Sequence, residues 1–171
     1  NIAANSGGGI VLKDNADAVM DQVHIEGNIA EGLGGGVYIN NADPNIEYCL
    51  IADNTASSGG GFYVRNNSDP IMSNITIAYN NAGLYGDGIY LRDGSDIELS
   101  NSLIWGNNDM QVYFREQGDE VSLSVSYSDI ENGQDGVFTN GNGELNWGSG
   151  MLDDEPYFCN GPGGNYSLRE N

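Results

Sequence analysis

Residues 28–54 read NIAEGLGGGVYINNADPNIEYCLIADN, and nearly the same phrase recurs along the 171-residue chain. Asn-x-Ala opens a unit at Asn1, Asn28, Asn54 and Asn80, and a unit lacking the alanine opens at Asn107, so successive starts lie 27, 26, 26 and 27 residues apart. A glycine cluster follows, GGG at 7–9, 34–36 and 59–61 and GDG at 86–88. Next comes a short apolar run: IVL from Ile10, VYI from Val37, FYV from Phe62, IYL from Ile89 and VYF from Val112. A second apolar run ends on Ile25, Ile51, Ile77, Ile104 and Ile130. A fixed period of this length marks a solenoid, a propeller or an array.

Both runs are rich in β-branched and aromatic residues and bounded by Gly, Asn, Asp and Pro, the punctuation of strands. A propeller blade needs about 40 residues and four strands, whereas two or three short strands per unit suit one coil of a parallel β-solenoid. Five such coils, stacked at about 4.8 Å, would reach roughly 24 Å, and equivalent residues would form ladders. The glycine triplets are not phosphate loops. No Lys-Ser/Thr follows them and no helix is there to open, so their repetition points to a bend with positive φ.

The Asn-x-Ala and Gly-Gly-Gly units resemble those of right-handed parallel β-helix proteins of the pectate-lyase-like superfamily. They are most similar to the type found in bacterial secreted and cell-surface proteins, including adhesin-like outer-membrane passenger domains. Residues 1–131 carry the likeness. The tail, DDEPYFCNGPGGNYSLREN from Asp153, resembles the closing segment of such chains, in which Ser-Pro-Cys usually follows. The resemblance implies an all-β right-handed parallel β-helix, with coils over 1–131 and an irregular C-terminal capping segment over 132–171. It says little about activity, because this fold hosts lyases, hydrolases, adhesins and inert stalks.

Alternation places Ile10, Val37, Phe62, Ile89, Val112 and Leu12, Ile39, Val64, Leu91, Phe114 inside, opposite Met20, Ile46, Met72, Leu99 and the isoleucines. Ala3, Ala30, Ala56 and Ala82 fill a tight corner, and Asn1, Asn28, Asn54, Asn80 and Asn107 form a ladder of side-chain amides. Cys49 takes the place of Val23 and Ile75, so it reads as a buried apolar residue, and Cys159 lies in the tail. His24 aligns with Leu50, Thr76 and Leu103 and reads as a surface residue. Trp147, Tyr157 and Phe158 are the anchors expected to hold a cap over the last rung.

With 26 glycines and 18% charged residues the composition is that of a turn-rich all-β domain, and 39% apolar suffices for a narrow continuous core. A net charge of −20 opposes nucleic acid and anionic membrane partners. No apolar stretch approaches the length of a membrane span, and no signal peptide is visible. Because Asn1 opens a unit, the chain reads as a piece of a longer extracellular protein, with adjacent coils or subunits expected at its N-terminal end.

Three outward columns carry the functional expectations. The first is aromatic: Val11, Tyr38, Tyr63, Tyr90 and Tyr113. The second, Lys13, Asn40, Arg65, Arg92 and Arg115, uses four of the five cationic residues in the chain. The third is acidic: Asp17, Asp43, Asp69, Asp96 and Asp119. Tyr38, Tyr63, Tyr90 and Tyr113 with Arg65, Arg92 and Arg115 suit a polysaccharide or cell-surface glycan, aromatic faces taking sugar rings and guanidinium groups taking carboxylates. The plainer account has tyrosines stacking on one another and arginines neutralising nearby aspartates. Asp43, Asp69 and Asp96 are candidate calcium ligands, although aspartate before proline is a turn former in its own right. The resemblance keeps a polysaccharide lyase or glycoside hydrolase in view. Against it, these residues recur in coil after coil, whereas an active site is a unique constellation, so no catalytic residue is assigned. The expectation is a non-catalytic surface, adhesive or glycan-binding module, with a structural stalk or filament subunit as its rival.

Overall fold

The structure is a computed structural model that describes residues 1–161 and 164–169; positions 162, 163, 170 and 171 of the expected capping segment lie outside the described residues. The apolar runs become short strands that pair in parallel with the equivalent run one coil away, so Phe62 sits between Val37 and Ile89 and Met72 between Ile46 and Leu99. Sheet 1 contains Ile2–Ala3, Ile29–Ala30, Thr55–Ser58 and Asn81–Tyr85. Sheet 2 has six strands, Ile10–Lys13, Val37–Asn40, Phe62–Arg65, Ile89–Leu91, Val112–Phe114 and Val137–Phe138. Sheet 3 also has six, Val19–Asp21, Asn45–Glu47, Ile71–Ser73, Asp96–Ser100, Val121–Ser126 and Gly143–Trp147. Sheet 4 contains His24–Glu26, Leu50–Ala52, Thr76–Ala78, Leu103–Trp105 and Asp129–Ile130.

A complete coil therefore carries four strands rather than two or three. The second apolar run is cut by one left-handed residue per coil, Gln22, Tyr48, Asn74, Asn101 or Tyr127, with φ between 48 and 55°. This bend separates sheet 3 from sheet 4. Another bend, at Gly27, Asp53, Tyr79 and Gly106, turns the chain from sheet 4 into the asparagine corner and sheet 1.

The expected inward ladders form one continuous core, with Val37, Ile39, Phe62, Val64, Ile89, Leu91, Val112 and Phe114 facing Met72, Ile77 and Ile104. Cys49 belongs to this core and Cys159 is exposed, both as free thiols. Only the first glycine of each triplet has positive φ, as at Gly59 (67°). The second is fixed by crowding. A β-carbon on Gly60 would lie 2.5 Å from the Asp87 carbonyl oxygen and 2.7 Å from the Asn81 nitrogen in the next coil.

The asparagine ladder is continuous from the exposed Asn1 and buried from Asn28 to Asn107. Asn28 donates its backbone N–H and its Nδ2 to Asn54 Oδ1, both at 3.0 Å, and Asn54 does the same to Asn80. In the fifth unit the chain skips the alanine strand, and Gln111 ends the ladder by accepting from Asn107 Nδ2 at 2.8 Å and donating to Glu131 at 2.8 Å.

The segment after residue 131 departs from expectation. Val137–Phe138 and Gly143–Trp147 continue sheets 2 and 3, and Leu152 bridges to Asp129, so residues 132–152 make a sixth coil rather than an irregular cap. The alternating ELNW stretch explains it, since Leu145 and Trp147 pack on the core beside Leu123 and Val125. The following hairpin, Phe158–Asn160 with Asn165–Leu168, does not cover the last rung. It folds back along the outside of sheet 4, where Phe158 packs against Ala78 and Trp105, while Tyr157 stays exposed. At the other end the first strand of every sheet has a single neighbour, and Ile2 and Val19 are exposed.

Candidate binding faces

Parallel register brings Tyr38, Tyr63, Tyr90 and Tyr113 onto one line on the outside of sheet 2, between Val11 and Phe138. Their rings stack at centroid distances of 5.6, 4.8 and 5.6 Å, and Tyr85 from sheet 1 stacks on Tyr113 at 4.8 Å. Tyr63 and Tyr90 are only 2% and 6% exposed. Their ring faces are turned to each other and Tyr113 is enclosed between Tyr90 and Tyr85, so only the half-buried Tyr38, at the end of the row, keeps a ring face free of another ring. Burial pushes the Tyr90 hydroxyl up to about 12.

The arginine column converges on a residue the repeat pattern did not single out. Arg92 Nε donates to Asp93 Oδ2 at 2.6 Å, Arg115 reaches Oδ1 at 3.3 Å, and Arg65 lies 3.6 Å from Oδ2. Asp93 holds the left-handed position of the turn after sheet 2, which aims its carboxylate back at the column. Arg92 also donates to the Tyr63 hydroxyl at 3.2 Å. Burial works against the Arg92 charge, but the bonds to Asp93 and Tyr63 outweigh it and hold the guanidinium above its ordinary range. Arg65 Nε is buried and has no partner among the described residues. The Arg-Asp dipeptide at 92–93 was the available signal in the sequence.

The acidic column is a backbone-binding ladder. Asp43 donates its N–H to Asp17 Oδ1 at 2.8 Å, Asp69 to Asp43 at 2.8 Å, and Asp96 to Asp69 at 3.1 Å. Asp119 is not its fifth member. Ser122 pairs with Asp96 instead and donates its hydroxyl to it at 2.8 Å, because the longer turn of the fifth coil carries Asp119 alongside Gly94. Burial, with Asp43 and Asp96 on either side, raises the Asp69 carboxyl. Among the described residues no three His, Cys, Asp or Glu side chains are grouped closely enough to hold a metal ion.

A further face lies over sheet 4. The C-terminal hairpin is held there by Phe158, Tyr79 and Tyr166, whose centroids lie 5.6–6.0 Å apart, and by a hydrogen bond from the Tyr166 hydroxyl to Asp53. Burial and this bond raise the Tyr166 hydroxyl. Beside the hairpin run two adjoining clefts of about 490 and 380 Å³ that share Asn74, Thr76 and Tyr166. Their far wall is the bend between sheets 3 and 4. Tyr48, Asn74, Asn101 and Tyr127 follow Asn28, Asn54, Asn80 and Asn107 by 20, 20, 21 and 20 residues, a column visible in the sequence but hidden by its mixed residue types. His24 is exposed at one end of this face.

The family model of the right-handed β-helix region matches residues 8–148. The chain belongs to that family, in agreement with the six-stranded parallel sheets. No curated protein and no solved structure shows a significant match. No helix among the described residues is long and apolar enough to cross a membrane.

Proposed function

We propose that the chain is a non-catalytic module of an extracellular or cell-surface protein that binds an extended glycan along the outside of sheet 2. The observation that supports this reading is repetition: the same contact groups return rung after rung at about 4.8 Å. A repeating face suits a repeating polymer, whereas catalysis calls for one constellation unlike the rest. The stacked rings set the mode of contact. Tyr38 offers a partly open ring and Tyr113 a half-buried edge, Tyr63 and Tyr90 hold the row together, and Arg65, Arg92 and Arg115 offer guanidinium donors already oriented by Asp93. Arg115 is the most open of the three arginines, with 37% of its side chain exposed. A broad glycan array followed by titration tests the reading. Tyr113→Ala with Arg115→Ala is expected to weaken binding at least tenfold without unfolding the solenoid, and added salt should weaken it further. An array on which the wild-type chain binds nothing overturns it.

A further inference from the structure

We infer that the trough between the bend column and the C-terminal hairpin is a separate binding site for a linear, uncharged glycan lying parallel to the solenoid axis. The asparagine and aspartate columns are satisfied within the solenoid, the asparagines bonding to asparagines and the aspartates to backbone N–H groups, and a third pair, Asn41 with Asn15, bonds side chain to side chain across one rung. The bend column is not. Gln22, Tyr48, Asn74, Asn101 and Tyr127 are exposed, and among the described residues none of their side chains donates to or accepts from another. Left-handed backbone throws these side chains outward, and the hairpin supplies a facing wall through Tyr166 and Leu168.

The chemistry and spacing of the wall select the occupant. Tyr48 and Tyr127 are 57% and 62% exposed and stand three rungs apart, with the free amides of Asn74 and Asn101 on the rungs between. Exposed rings are platforms for the apolar faces of sugars, and amides serve hydroxyls as donor and acceptor at once. Rungs lie about 4.8 Å apart, close to the length of one sugar residue in an extended chain. An extended peptide repeats its side chains on one face about every 6.8 Å and falls out of step with the wall. Charge removes acidic polymers, since Glu26 and Asp129 line the clefts and His24 is the only basic residue that does. From Tyr48 to Tyr127 the wall spans four rungs, so four sugar residues engage the whole column.

Titration calorimetry with cello-, chito-, manno- and xylo-oligosaccharides of two to six residues tests the assignment. At least one series is expected to bind, with affinity rising from dimer to tetramer and then levelling. Asn74→Gly with Asn101→Gly keeps the left-handed bend and removes the amides. Tyr48→Asn with Tyr127→Asn places at these rungs the residue that the same column already carries at 74 and 101. Each pair should weaken the tetramer at least tenfold while leaving the melting temperature within a few degrees, and Arg115→Ala on sheet 2 should leave it unchanged. Binding lost with Arg115→Ala but kept in both trough pairs would assign the glycan to sheet 2 and overturn the trough. So would the absence of any neutral oligosaccharide binding, or displacement of the bound tetramer by extended peptides.

Discussion

Two ladders run along this solenoid, asparagine inside and aspartate outside, and both use a side-chain Oδ1 to accept a backbone N–H from a neighbouring coil. They differ in what the rest of the side chain does. In the buried ladder the amide nitrogen makes further bonds, Asn80 Nδ2 donating to Ile51 O at 2.9 Å and to Asn107 Oδ1 at 2.9 Å. In the outer ladder the second carboxylate oxygen makes no such bond, and every rung adds a negative charge about 5 Å from the next. The inner ladder ties the coils in register. The outer one satisfies a turn while working against the coil spacing, and solvent makes that tolerable.

The most severe break is in the inner ladder. Asn80→Ala leaves the Asn54 N–H and Nδ2 and the Ile51 and Asn107 oxygens short of partners in a site that is 1% exposed. Each unsatisfied buried group costs about 1–3 kcal/mol, so a loss of about 3–5 kcal/mol is expected from urea denaturation. A loss below about 1 kcal/mol would mean that the coils are held by core packing alone.

Calcium would sharpen the contrast from the outer side. An ion held on this face would relieve the repulsion among Asp43, Asp69 and Asp96 without needing all three in one coordination shell, and would stabilise by mass action, about 2.7 kcal/mol at a hundred times its dissociation constant. The melting temperature should rise on adding calcium and return with a chelator. An unchanged value excludes these three aspartates as ligands.

Acid should act in the same direction as calcium. Burial raises the carboxyls of Asp69, Asp87 and Asp129, Asp87 lying fully enclosed with the Ala82 and Met110 N–H groups donating to it. A carboxyl whose folded pKa lies above its unfolded value contributes stability that is complete below the unfolded pKa and lost as pH rises through the folded one. That contribution grows as pH falls, so thermal stability should increase from pH 7 towards the carboxylate range. Asp87→Asn should flatten the profile. A melting temperature that declines steadily from pH 7 to 5 would contradict the assignment.

Repetition made the inside of the molecule legible. Phe62 between Val37 and Ile89, and Asn54 between Asn28 and Asn80, follow from period and alternation alone, because a core residue and its rung neighbours have one environment. The outside was less legible for physical reasons. Side-chain type put Tyr63 and Tyr90 on the surface and left stacking and sugar contact both open, and the structure closes their faces on each other and buries both rings. Asp93 and Ser122 gain their roles from turn lengths that vary between coils. The pairing of Phe158–Asn160 with Asn165–Leu168 escaped because its contacts, Phe158 with Trp105 and Tyr166 with Asp53, reach back over several coils and belong to no period.

The smallest effect isolates the charge on the outer ladder. Asp69→Asn keeps an oxygen to accept the Asp96 N–H and removes one of three neighbouring negative charges. Although its neighbours desolvate part of the Asp69 carboxyl, the side chain as a whole faces water, so solvent screens most of the repulsion and the gain should be a few tenths of a kcal/mol. The gain should shrink as salt is added, since a screened ladder has less repulsion to relieve. The substituted amide also brings an Nδ2 donor, which can bond to Asp43 as Asn54 bonds to Asn80, and that part of the gain does not depend on salt. Comparing Asp69→Asn with Asp69→Ser, which keeps an acceptor but has no amide, separates the two. A salt-independent gain confined to asparagine would make the outer ladder an incomplete copy of the inner one, and a gain shared by both substitutions and abolished by salt would make charge the whole difference.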